Sequence, residues 1–194
     1  MENYRLLVSA NAAAFDVLTQ AGVNFEKCDV HPAANGDALK SFAEEMAKDE
    51  DKNVITVVAE KEISDGERVY GIPETREEAK EMLCDISGGT HSHIVRMCIG
   101  GAGQPFEVIT AEAQVSFKKL SEWEIDGYLN FDEYKFPAAY DPAGKGALFM
   151  RKIQGDFSVI KGLPIVALME ALERKYGITP ANGKNIWWKG SNKE

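Results

Sequence analysis

The side chains able to do chemistry stand where short apolar runs end. Leu6 to Val8 leads into Ser9, Ala10 and Asn11, and Val54 to Ala59 leads into Glu60 and Lys61. A carboxylate at a strand end can act as a general base or hold a metal. The plainer readings are a turn serine at Ser9 and, at Glu60, a solvated carboxylate paired with Lys61 or Arg68. Cys28, Cys84 and Cys98 contain no CxxC pair and lack histidine at zinc-site spacing, so they read as buried structural thiols. His31, followed by Pro32, reads as a loop residue, and the run AKDEDKN as a solvated loop. Trp187-Trp188 could stack on a base, but packing of the tail against the body or a partner is the simpler reading.

The elements that must position these residues are legible in turn. Asn11 is a good N-cap, Ala12 to Ala14 favour helix, and Gly22 supplies the left-handed residue that closes one. A second strand is expected at Phe25 to Val30, and Leu39, Phe42, Ala43 and Met46 carry helical spacing over residues 36–48. Val54 to Ala59, apolar apart from Thr56, fits a central strand buried on both faces, with a hairpin at Ser64-Asp65-Gly66 returning through Arg68 to Tyr70. Thr75 with Glu78 and Ser121 with Glu124 read as capping boxes, the first opening a helix to Ile86. Two long strands flank Gly100-Gly101-Ala102-Gly103, Ala147 to Ile153 reads as a strand, and Pro164 opens a helix ending at Gly177. Strands alternating with helices around a long hairpin indicate an α/β fold with a mixed sheet. One domain is expected over residues 1–178, with a polar tail over 179–194.

Composition narrows the partners. The 194 residues, 44% hydrophobic, are enough to bury a full core. A net charge of -9 with scattered Lys and Arg argues against nucleic acid. No apolar run approaches the roughly 20 residues that span a bilayer, and the first residues lack a basic stretch before a long apolar block. No membrane partner and a cytoplasmic location are therefore expected.

Several segments together resemble one family. PETREEAKEML followed by DISGGTH is similar to the Maf signature of a KP pair, an EEA helix and LSG with a histidine. VSFKKLSEWEIDGYL resembles its V-F, LS and EI segment, and GKGALFMRKIQGDFSVIKGLP its GxGALFV, I-GD and GLP ending. With LLVSA at the start, the matches run in order from Leu6 to Pro164. The resemblance to the Maf family of nucleoside triphosphate pyrophosphatases implies an elongated Maf/ITPase-like α/β fold, a mixed sheet with flanking helices and a cleft between two lobes. It also implies hydrolysis of nucleoside triphosphates to monophosphate and pyrophosphate, a divalent metal (Mg or Mn) and a homodimer. His91 falls where the family tends to carry a histidine in a sheet position, which favours a structural role over a metal one for His91 and His93.

The departures fall on the positions that would carry the chemistry. Releasing pyrophosphate needs cations on the phosphates, a metal on carboxylates and a group that orients water. Where the resemblance expects an SxSPRR turn, Ser9 matches, Asn11 replaces serine, and Ala13 and Ala14 replace the arginines. The ADT aspartate falls on Glu60, the KP lysine on Ile72 and the KA lysine on Met46. In the DKAGAYxIQG stretch the aspartate, lysine and glutamine fall on Lys135, Phe136 and Ala143. The resemblance thus leaves Glu60 as the candidate catalytic residue and Ser9 and Asn11 as candidate substrate-binding residues. Two functions stay open: a noncatalytic relative that binds a small molecule or a partner, and an active pyrophosphatase of altered preference using Glu60 and a divalent metal.

Overall fold

The computed structural model describes residues 4–28, 36–48, 50–131 and 134–178, so His31, Trp187, Trp188 and the tail lie outside the described residues. In chain order the elements are β1 (Arg5–Ser9), α1 (Ala12–Gln20), β2 (Glu26–Lys27), α2 (Gly36–Met46), β3 (Val54–Ser64) and α3 (Arg76–Ile86). They continue with β4 (Thr90–Gly101), β5 (Gln104–Phe117), α4 (Glu122–Tyr128), β6 (Met150–Gly155), α5 (Phe157–Ile160) and α6 (Ile165–Tyr176). The six strands form one sheet in the order β2-β1-β3-β4-β5-β6. β1 is parallel to both β2 and β3, whereas β5 and β6 are antiparallel, so the sheet is mixed as expected. Its outermost strands are the two-residue β2 and β6, on which Arg151 and Lys152 are exposed.

The chain divides into two compact units, the first being residues 1–60, 95–111 and 162–194, and the second 61–94 and 112–161. In the first unit, every residue from Val54 to Ala59 is buried. Leu39 and Ala43 of α2 pack with Val58 and Cys98, with Phe42, Met46 and Phe106 around them. The β4–β5 hairpin turns through Ala102 (φ 50°) and Gly103 (φ 80°), the two positive-φ positions of a tight primed turn. Helix α6 buries Leu168, Ala171, Leu172 and Tyr176 and ends on Gly177 at φ 61°, the expected left-handed stop.

In the second unit, Thr75 caps α3 by accepting from the Glu78 N–H at 3.1 Å. The Glu78 carboxylate accepts from the N–H of Glu74 at 2.8 Å rather than from Thr75. At α4 the box closes fully, the Ser121 N–H donating to Glu124 at 2.9 Å. The aromatic rings of Phe117, Tyr128, Tyr140 and Phe149 pack edge to face at 4.8–5.8 Å.

Four expectations need correction. Among the described residues, the strand expected at Phe25 to Val30 is reduced to Glu26–Lys27. The strand expected at Ala147 to Ile153 begins at Met150, because Lys145–Phe149 winds into a 3-10 turn. There Gly146 folds so tightly that a Cβ would lie 2.5 Å from the Asp141 carbonyl oxygen. Of the cysteines only Cys98 is buried; Cys84 is exposed and Cys28 intermediate. Finally, Glu60 is not at a strand end: β3 runs four residues further, to Ser64, with Ile63 fully buried. Charged side chains at 60, 61 and 62 looked like a strand terminus, but all three are only partly exposed and the strand continues through them to the buried Ile63.

Candidate active site

In the first unit, Ser9 lies opposite Val58 in the β1–β3 register, and Glu60 follows two residues on. Residues two apart on a strand share a face, so Ser9, Val58 and Glu60 line one side of the sheet, with Ser9 and Glu60 about 8 Å apart between Cα positions. Ser9 is fully buried. Glu60 is half-buried, and its Oε1 is enclosed without a hydrogen-bond partner. Burial raises the Glu60 pKa above the usual carboxylate value, and the Arg96 guanidinium partly offsets that. Neither proposed ion-pair partner serves it. Lys61 donates to the Ile160 carbonyl at 3.1 Å, and Arg68 pairs with Asp85 at 3.0 Å.

Asn11 performs the N-cap role read from the sequence. Its backbone is extended, and its Oδ1 accepts from the Ala14 N–H at 2.9 Å. The amide end is packed just as closely: a Cβ on Gly162, which holds φ +95°, would fall 2.0 Å from the Asn11 Nδ2. The start of α1 is thus occupied by this chain's own atoms, with one N–H already bonded to Asn11. Ala13 is partly exposed, but Ala14 is completely buried.

The second unit holds the other candidate positions. Ile72 is 61% exposed and Phe136 41% exposed, so two apolar side chains face solvent where the resemblance expects lysines. Lys135 and Ala143 are also exposed. The backbones carrying Ile72 and Phe136 are tied by the Ala138 N–H donating to the Gly71 carbonyl at 3.0 Å. His91 and His93 are buried and both contact the Tyr140 hydroxyl, in accord with a structural role.

Sequence reasoning gave Lys61 no role of its own. The structure encloses much of it, and burial lowers its pKa to about 8 against the opposing pull of Asp141. The signal was a lysine in a strand one residue from the candidate carboxylate. No three His, Cys, Asp or Glu residues cluster to hold a metal ion among the described residues.

A family model described as Maf-like protein matches residues 6–175. The chain belongs to the Maf family. A dTTP/UTP pyrophosphatase of Bacillus pumilus (strain SAFR-032) is 29% identical over 192 residues, covering 92% of this chain and 99% of that one. One from Alkaliphilus oremlandii (strain OhILAs) is 30% identical over 185 residues, covering 89% and 96%. A dTTP/UTP pyrophosphatase of Treponema denticola is 38% identical over 109 residues, and there the match spans about half of each chain, 55% and 53%. The described residues of this Maf-family chain include no helix long and apolar enough to cross a membrane.

Proposed function

We propose that this Maf-family chain hydrolyses nucleoside triphosphates poorly and acts through its altered site as a small-molecule-binding or partner-binding relative. The observation that carries this reading is the start of α1, where Asn11 caps the helix and Gly162 closes over its amide. A helix N-terminus attracts phosphate through free N–H groups, and bidentate cations do most of the holding. Here the cap uses one N–H, and Ala13 and Ala14 supply no charge. Ile72, Met46 and Phe136 are equally without charge. Loss of one well-placed charge-stabilising donor costs roughly a hundred- to a thousandfold in rate, and losses within one unit do not fully multiply. A deficit of about 10⁴ against a relative with the full set is the expected floor.

The second reading, an active pyrophosphatase with altered preference, is favoured by the enclosed and unpartnered Oε1 of Glu60. One carboxylate is enough to help hold magnesium when the nucleotide's phosphates complete the shell. Glu60 would hold the ion, which would neutralise charge on the phosphates when bound. The deciding experiment is pyrophosphate release from dTTP, UTP, the other common triphosphates and modified ones, with magnesium or manganese, for wild type and Glu60→Ala. Near-background rates that Glu60→Ala leaves unchanged support the first reading. Robust turnover abolished by that substitution replaces it with the second. A homodimer and a cytoplasmic location are part of the proposal and rest on family resemblance and composition.

A further inference from the structure

The second unit contains a polar cluster that neither functional reading uses. The Tyr140 hydroxyl lies 2.7 Å from the His91 Nε2 and 2.6 Å from the His93 Nε2. All three residues are at most 1% exposed. Both Nδ1 atoms are enclosed without a partner. Phe117 stands edge-on to His91 at 4.9 Å and to Tyr140 at the same distance, so the cluster sits among aromatic rings.

Proton counting constrains this arrangement. A hydroxyl has one proton, so Tyr140 can donate at only one contact, and keeping that buried proton paired requires that it donate to one imidazole nitrogen and accept from the other. The first histidine then carries its proton on Nδ1 and the second on Nε2. One buried Nδ1–H is left without an acceptor and one Nδ1 lone pair without a donor. A further proton would leave a charged Nδ1–H without an acceptor on one ring, and on the other would take the Nε2 lone pair to which the Tyr140 hydroxyl donates.

We propose that the His91–Tyr140–His93 bridge is an acid-sensitive lock on the second unit, closed only while both imidazoles are neutral and in opposite tautomers. The charged groups around it agree. Burial pushes His91 down to about 4, against the pull of Asp65 from the hairpin after β3. Burial also holds His93 well below its usual value, and the Lys61 ammonium on β3 and His91 lower it further. Burial, with Tyr128 adding to it, keeps the Tyr140 hydroxyl protonated. Because an unfolded histidine titrates near about 6.5, the open state takes up two protons that the closed state refuses. The lock is therefore fully closed above about pH 6.5 and weakens as pH falls toward 4.

Nitrogen-15 NMR of the imidazoles and pH-dependent hydrogen exchange test the proposal on the full chain. At pH 7 one ring should show Nδ1–H and the other Nε2–H, and both should stay neutral at pH 5.5. Matching tautomers, or a protonated ring at pH 5.5, overturn it. Corrected for intrinsic rates, the opening constant of residues 88–94 and 112–117 should rise about a hundredfold per pH unit between 6 and 4.5. In His93→Leu the rise should fall to about tenfold. An equal pH dependence in the two proteins overturns the lock, and the NMR result on wild type decides alone if the variant does not fold.

Discussion

At the scale of single residues, Glu60 is held at some cost. Its enclosed Oε1 has no donor, and burial raises its pKa. A carboxyl whose folded pKa is raised destabilises the fold once it ionises, and the penalty disappears when it is protonated. Glu60→Gln should therefore stabilise the protein by on the order of 1 kcal/mol at pH 8, with the gain fading as pH falls through the raised Glu60 value and gone below about pH 4.5. Thermal melts of both proteins across that range check the sign; a gain that grows on acidification would contradict it. The two alanines after Asn11 should respond differently to arginine. Ala13 is partly exposed and can take the larger side chain, so on the proposed reading of the site Ala13→Arg should tighten binding of a nucleoside triphosphate about tenfold, the scale of one charged hydrogen bond. Ala14 is fully buried, and Ala14→Arg should cost about 3 kcal/mol or more. Calorimetric titration and denaturant melts separate the two outcomes. The identities of these residues were plain in the sequence, but the burial of Ala14 was not, because an alanine run at a helix start gives no sign of which methyl faces inward.

At the scale of elements, the junction of α1 with the segment before α6 is the most tightly constrained. Gly162→Ala places a methyl against Asn11 and forces a left-handed φ, so it should destabilise by about 2–4 kcal/mol. Asn11→Ala should cost about 1 kcal/mol as a lost cap. The double variant should cost less than the sum, because truncating Asn11 to a methyl removes the amide that the new Cβ would strike, while the φ strain remains. Strict additivity in a denaturant cycle would show that the two residues do not press on each other. Helix starts were legible at Asn11, Thr75 and Ser121 because capping is local chemistry. The 3-10 turn at Lys145–Phe149 was not, because the chain bends there only when Gly146 meets the Asp141 carbonyl, five residues earlier. The length of β3 was missed for a related reason: the Lys61 ammonium is received by the Ile160 carbonyl, 99 residues away in sequence, a partner that no local pattern shows.

At the scale of the whole molecule, order and matching segments made the mixed α/β sheet readable, whereas enclosure around Glu60 and His93 depends on contacts distant in sequence. Association belongs to this scale too. Light scattering at micromolar concentration should give twice the 21.4 kDa chain mass, and a monomer would remove the homodimer from the proposal. The sheet's margins bear on what such association can be. One outer strand is only two residues long, with Glu26 engaged by the Arg5 guanidinium at 2.6 and 2.8 Å, and the other presents Arg151 and Lys152 to solvent. Among the described residues, neither offers the long, flat, apolar ladder that would template a neighbouring chain. Growth into open-ended fibrils by adding strand to strand is disfavoured at both of these margins.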